Sequence, residues 1–134
     1  MFVLDPRIKT DSIFICDLEL CQLRVQNDQR YPWLVLVPKV TNATEVHELS
    51  TEMQAQLMAE SSAVAEVLKA HTGCTKINVA NLGNVVSQLH WHVLARFEND
   101  LTWPGPVWGV GAAKPYEEKE LARFIEQIKA SLLS

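Results

Sequence analysis

Residues 88–97 read Gln88-Leu89-His90-Trp91-His92-Val93-Leu94-Ala95-Arg96-Phe97, and polar and apolar side chains alternate along the first half of the stretch. In an extended strand, successive side chains point to opposite faces of the sheet. The spacing predicts a strand over 88–97. Gln88, His90 and His92 would share one face, with Leu89, Trp91 and Val93 anchoring the back. Two imidazoles and an amide in a row suit either a metal ion or a phosphate.

The neighbouring segments read as a frame for that strand. Residues 76–79 form a preceding strand and residues 82–85 a glycine-containing loop. Before them, Met53, Leu57, Val64, Val67 and Leu68 recur at helical spacing over 51–71, and Gly73 ends the element. Thr51-Glu52-Met53-Gln54 fits a capping box with Thr51 as the cap. Residues 33–37, Trp-Leu-Val-Leu-Val, are a continuous apolar run stopped by Pro38, as expected of a central strand buried on both faces. Residues 12–16 and 19–25 look like a hairpin, with Asn27-Asp28 as a turn beyond it. A short helical turn around 4–9 uses Pro6 near its start. Residues 98–115, with Pro104, Pro106 and three glycines, form an irregular surface segment. A last helix over 116–133, with Pro115 near its first turn, carries the stripe Leu121, Phe124, Ile125, Ile128 and Leu132. This order predicts one α+β domain over 1–134, with an antiparallel sheet of about five strands, a long helix and a C-terminal helix.

Composition narrows the function. A chain of 134 residues is long enough for one hydrophobic core. Its net charge of −4, without a Lys/Arg run, argues against nucleic acid as a partner, so an anionic ligand must be held by local donors. No basic leader followed by an apolar stretch, and no run long enough to span a bilayer, is present, so no membrane association is expected. Cys16, Cys21 and Cys74 lack metal-type spacing and read as small buried residues of a reducing compartment, with the cytoplasm as the expected location.

Three readings fit a bare His-x-His. The pair can be two hydrogen-bonded imidazoles on a half-exposed face. It can ligate a metal, which requires a third ligand that His47 and His71, flanking the long helix, do not obviously supply. Or a neutral imidazole can attack an α-phosphorus and form a nucleotidyl-histidine, splitting one hard displacement into two easier ones. That chemistry needs an acceptor fixing the nucleophile's tautomer and donors for the phosphoryl oxygens. His92, Gln88 and the Gly83-Asn84 loop are the candidate donors.

The segment Gln88-Leu89-His90-Trp91-His92-Val93-Leu94 resembles the His-φ-His-φ-His-φ-φ signature of the histidine triad superfamily, φ being apolar. Flanking features agree with it over about residues 12–110. Residues 33–39 resemble the family's strand ending in Val-x-Pro, and Gly83-Asn84 its Gly-Gln loop. Arg96 lies where members often carry Arg, and Trp103-Pro104 resembles a Trp-Pro found after the motif in one branch. The resemblance implies a HIT-like fold and a nucleotide-binding hydrolase or transferase. Such an enzyme would cleave a nucleoside phosphoramidate, a dinucleoside polyphosphate or a related conjugate at the α-phosphate.

Position by position, the family's nucleophile matches His90 and its charge-stabilising last histidine matches His92. Gln88 replaces the first histidine and cannot carry a proton or a charge; Trp33, which falls where a fourth histidine lies on the earlier strand, can pack or stack and has only an indole N–H donor. Asn27, with Asp28 as the neighbouring choice, matches the ribose-binding residue. Asn81, Gly83 and Asn84 match the loop lining the phosphates, and Trp103 falls among the nucleotide-binding positions. The resemblance implies a purine nucleotide ligand, no required cofactor or metal, and a homodimer paired through the long helix and an adjacent edge strand. The Trp103 to Trp108 segment either packs on its own domain or reaches toward a neighbouring subunit. The two departures leave open a nearly inactive nucleotide-binding module, and the His-x-His pair alone a metal-dependent hydrolase.

Overall fold

The computed structural model describes residues 1–134. One antiparallel sheet has the strand order β1-β2-β3-β5-β4. It comprises β1 (Ser12–Asp17), β2 (Cys21–Gln26), β3 (Trp33–Pro38), β4 (Lys76–Ala80) and β5 (Trp91–Arg96). Helix α1 (Pro6–Asp11) precedes the sheet, α2 (Thr51–Thr72) crosses from β3 to β4, and α3 (Glu118–Leu133) closes the chain. The α+β class and the five strands agree with the sequence reading.

The apolar run of β3 is buried at every position because both its faces are covered. Leu34 and Leu36 join Leu23, Val25, Val93 and Ala95 in a core beneath α2 and α3. Trp33, Val35 and Val37 join Ile8, Tyr31, Leu94 and Val107 in a smaller core on the opposite face, beneath α1 and the segment after β5. A bulge between Phe14 and Cys16 shifts the β1–β2 register, so that Ile15 and Cys16, adjacent in sequence, both reach the larger core.

Helix α2 is capped one residue earlier than Thr51. Ser50 has the extended backbone of a cap, and its hydroxyl accepts from Met53 N at 3.1 Å, while the Gln54 amide donates to Leu49 O. Gly73 ends the helix at φ +66°, where its N–H reaches Lys69 O. On the buried side of α2, the Glu60 carboxylate accepts from the backbone N–H groups of Leu20 and Cys21 at 2.8 and 2.9 Å. The turn between β1 and β2 contains no Gly, Asn or Pro, and Glu60 satisfies it from 39 or 40 residues away. Helix α3 begins later than Pro115 predicts. Tyr116 N donates to Asn27 Oδ1 and Pro115 O accepts from Gln29, so this stretch stays extended against the β2–β3 turn. The predicted stripe of α3 does pack on the larger core.

The strand expected over 88–97 is shorter. Pairing with β3 stops at Leu36 opposite Trp91. Pro38, the position that Leu89 would next pair with, has no N–H to give the Leu89 carbonyl, so the reciprocal pair of ladder bonds cannot form, and Leu89 N donates to Ala43 O at 2.9 Å. At the other end of β5, Arg96 is buried and fixes the irregular segment that follows. Its guanidinium donates to both Asp100 carboxylate oxygens, to Asn78 on β4 and to the Gly105 carbonyl. Asp100 in turn accepts backbone N–H bonds from Phe97, Thr102 and Trp103. Burial alone would raise the Asp100 pKa, but the hydrogen bonds from Arg96 and the backbone win and hold it at about 2. All three cysteines are free and buried, and no helix is long and apolar enough to cross a membrane.

Candidate active site

Opposite α2 and α3, a cleft of about 480 Å³ opens between α1, the 82–86 loop and the sheet face. Strand alternation builds its floor: Gln26 from β2, Trp33 and Val35 from β3, and His92 from β5 all line it. His90 lies two residues before His92, and both rings are buried, with centroids 5.0 Å apart and planes near perpendicular. Trp108 closes one side, its ring 5.2 Å from His92 and 5.7 Å from Trp33. The segment containing Trp103 and Trp108 thus packs on its own domain.

The tautomers follow from the partners. His90 Nδ1 lies 2.7 Å from the Gln88 carbonyl oxygen. A carbonyl only accepts, so Nδ1 carries a proton, and in the neutral ring the lone pair is on Nε2. His92 Nδ1 lies 2.9 Å from the indole nitrogen of Trp33. An indole N–H only donates, so His92 Nδ1 accepts and its proton sits on Nε2. The two adjacent rings therefore carry opposite capacities on their remaining nitrogens, a lone pair on His90 and an N–H on His92. Burial first, and the neighbouring His90 second, lower the His92 pKa to about 3, so this ring is neutral near pH 7.

The other expected residues divide. Asn84 lines the cleft. Gly83 is exposed and does not line it; a Cβ there would stand 3.3 Å from the Val86 carbonyl oxygen, a tight contact that the loop could take only by shifting. Asn81 is exposed and away from the cleft. Gln88 does not join the histidine row: its side chain accepts from Asp5 N and donates to Val3 O, both at 2.8 Å. The row prediction assumed that pairing continued through residue 88, and the loss of the ladder at Pro38 removes that condition.

Asn27 and Asp28 are likewise occupied elsewhere. Asn27 Oδ1 takes the Tyr116 N–H, and the buried Asp28 carboxylate takes Arg30 and the Lys114 N–H. Trp103 packs beneath the Arg96 guanidinium, 5.8 Å from its ring centre, and Trp108 holds the aromatic position at the cleft. The sequence reading missed Arg7, Ile8, Asp11, Gln26 and Trp108, all of which line the cleft. Alternation of Gln22, Arg24 and Gln26 along β2 could have found Gln26. Nothing local marks Arg7 or Asp11. No three His, Cys, Asp or Glu side chains converge as a metal-ligand set.

The comparisons with known proteins identify the family and the fold. A family model described as HIT domain matches residues 7–99. A histidine triad protein from Sinorhizobium meliloti is similar at 50% identity and a TM-score of 0.96, covering 98% of this chain and 97% of its own. One from Bradyrhizobium japonicum is similar at 44% identity and a TM-score of 0.96, covering 98% of each chain. The diadenosine triphosphate hydrolase of Plasmodium falciparum shares the fold at 14% identity and a TM-score of 0.63, covering 97% of this chain and 79% of its own. Among curated proteins, no match is found.

Proposed function

The chain belongs to the histidine triad (HIT) family, and on that premise we propose that it is a nucleotide hydrolase or nucleotidyl transferase acting through a nucleotidyl-His90 intermediate. The observation that carries this reading is the bond from His90 Nδ1 to the Gln88 carbonyl, which selects the tautomer of the neutral ring that has its lone pair on Nε2, on a ring lining the cleft. In the first step the Nε2 lone pair forms an N–P bond to the α-phosphorus, and the bond to the leaving group breaks, its electrons departing with that group. In the second step water attacks the same phosphorus, the N–P bond breaks, and the electron pair returns to Nε2 while water's proton passes to solvent.

His92 supports both steps as a neutral donor. Its Nε2–H is fixed by Trp33 from behind, so it can meet a phosphoryl oxygen as charge builds there, without reorganisation. The indole N–H is the one donor that Trp33 has in place of the fourth imidazole, and it is spent on His92 Nδ1. Gln26 and Asp11 on the cleft wall, rather than Asn27 and Asp28, are the polar groups open to ribose hydroxyls. The two-step path and the fixed donors call on no metal. The substrate class is a nucleotide conjugate such as a phosphoramidate or dinucleoside polyphosphate, with a purine base against the apolar wall of Val35, Leu82 and Trp108.

The assembly proposed with this activity is a two-fold dimer. Strand β4 lies at a sheet edge, and Val79 on it and Met53 and Met58 on α2 are exposed apolar residues. A second reading, a binding module without useful turnover, is favoured by Gln88 pointing away from the cleft, which leaves His92 as the one imidazole beside the nucleophile.

Replacing His90 decides between the readings. His90→Asn is expected to lower turnover of a nucleotide conjugate by about 10⁴-fold, in line with loss of an enzymatic nucleophile. Wild-type protein denatured in alkali, where an N–P adduct survives, should carry one nucleotidyl group per chain, and acid should release it. Full turnover by the variant would exclude the mechanism, and nucleotide binding without turnover by the wild type would favour the module.

A further inference from the structure

The position that opens the HIT signature has been put to another use in this chain. Gln88 holds the stretch before α1 with two bonds of 2.8 Å, accepting from Asp5 N and donating to Val3 O. That pairing mimics one rung of a sheet ladder, with a side-chain amide in place of a peptide group. It fixes a segment whose Ile8 is buried in the smaller core against Trp33 and Val35. Arg7, Ile8 and Asp11 then form a wall of the cleft, while Gln88 itself stays outside it.

Arg7 is the one cationic side chain among the residues lining the cleft. The arginines nearest on the same face of the sheet are committed elsewhere: Arg24 to Ser12 and Gln22, Arg30 to Asp28, and Arg96 to Asp100. The Arg7 guanidinium is held in a set plane, its Nε and one Nη2 hydrogen on the Asp5 carboxylate and one Nη1 hydrogen on the Val85 carbonyl. Guanidinium has five N–H donors, so two remain. The side chain is 57% exposed, leaving those donors accessible. Asp5 offsets most of its charge, so Arg7 offers oriented hydrogen bonds more than net field. Such a fork matches phosphate oxygens.

We propose that this wall is a leaving-group subsite: Gln88 is a positioning residue that latches it, and Arg7 contacts an anionic phosphate beyond the one His90 attacks. The inference rests on the nucleotide reading above and narrows it. It favours substrates whose leaving group is itself a phosphate, such as dinucleoside polyphosphates, over amine-leaving phosphoramidates. On α1, Arg7 and Asp11 stand one turn apart, about 6 Å along the axis. That spacing sets Arg7 toward the phosphate chain and Asp11, beside Gln26, toward the ribose.

Calorimetry with AMP and ADP tests this without requiring turnover. Wild-type protein should bind ADP about tenfold more tightly than AMP, the scale of one added charge-assisted hydrogen bond. Arg7→Gln should bring that ratio close to one, and Arg7→Lys should keep part of it. Gln88→Ala should also lower the ratio and, by hydrogen exchange, speed exchange of the Asp5 amide, a readout that a direct phosphate role for Gln88 would not move. Equal affinity for both nucleotides in the wild type, or an undiminished ratio in Arg7→Gln, overturns the proposal while leaving the His90 reading intact. Failure of the wild type to bind either nucleotide removes both.

Discussion

The two faces of the sheet are built on different principles. The face beneath α2 and α3 is an apolar layer joined by a few isolated polar contacts, such as the Trp91 indole on Ser61 Oγ. The opposite face buries Arg24, Asp28, His90, His92 and Arg96, and each has a hydrogen-bond partner. Interior apolar packing tolerates exchange of shape and volume, whereas a buried polar network fails when one member is removed. The first face holds the strands; the second fixes where protons reside.

Four substitutions or conditions test that contrast. Arg96→Met is expected to destabilise the fold by about 3–5 kcal/mol, because the Asp100 carboxylate stays buried and loses its charge partner. Denaturant unfolding at neutral pH measures it. A loss below about 1 kcal/mol would mean that the polar face is no more brittle than an exposed ion pair. On the other face, Leu34→Ala should cost about 2–5 kcal/mol by opening a cavity. Turnover per folded molecule should be retained, as Leu34 points away from the cleft, and a selective drop in kcat would blur the division between faces.

Trp33→Phe keeps an aromatic ring but removes the donor to His92 Nδ1. The expected result is a fall in kcat of about 10- to 100-fold with little change in KM, the usual scale for removing a group that orients a reacting imidazole. Nitrogen shifts of His92 should lose the single Nε2–H signature of the wild type; if they do not, Trp33 contributes only packing.

The last test is the pH dependence contributed by His92. Its folded-state pKa is about 3 and its ordinary value 6.5, so the unfolded chain takes up a proton first as pH falls. Stability should be flat with respect to this group above about pH 6.5 and fall between there and about pH 3, by at most about 1.4 kcal/mol per pH unit. Urea midpoints across that window should slope more steeply for the wild type than for His92→Gln. Equal slopes would place the ring in contact with solvent.

How much of this was legible in the sequence differs between the faces. The dry face could be read from local patterns: the unbroken run at 33–37, the spacing of Leu57, Val64 and Leu68, and the stripe on α3 all emerged as expected. The polar face was legible at His90 and His92, where two-residue alternation holds through β5 and its approach. It was not legible at Gln88, since alternation predicts orientation only while a partner strand supplies the ladder, and Pro38 withdraws it. Asn27 and Asp28 look available in a turn, yet the backbone at 114 and 116, nearly ninety residues later, occupies them. Choosing Trp103 over Trp108 failed for the same reason, because Arg96 decides which indole is free to reach the cleft. Local periodicity reports on faces. Competition among distant donors and acceptors is visible only in three dimensions.

Glu60 carries that point into how firmly the sheet edge is held. The first hairpin lacks turn-forming residues of its own, and its corner is completed by a carboxylate that is in the right place only while α2 is docked. The corner of strands β1 and β2 is therefore only as firm as the docking of α2: wherever that helix lifts, the Leu20 and Cys21 amides lose their acceptor, and one edge of the sheet loosens with an element from the middle of the chain.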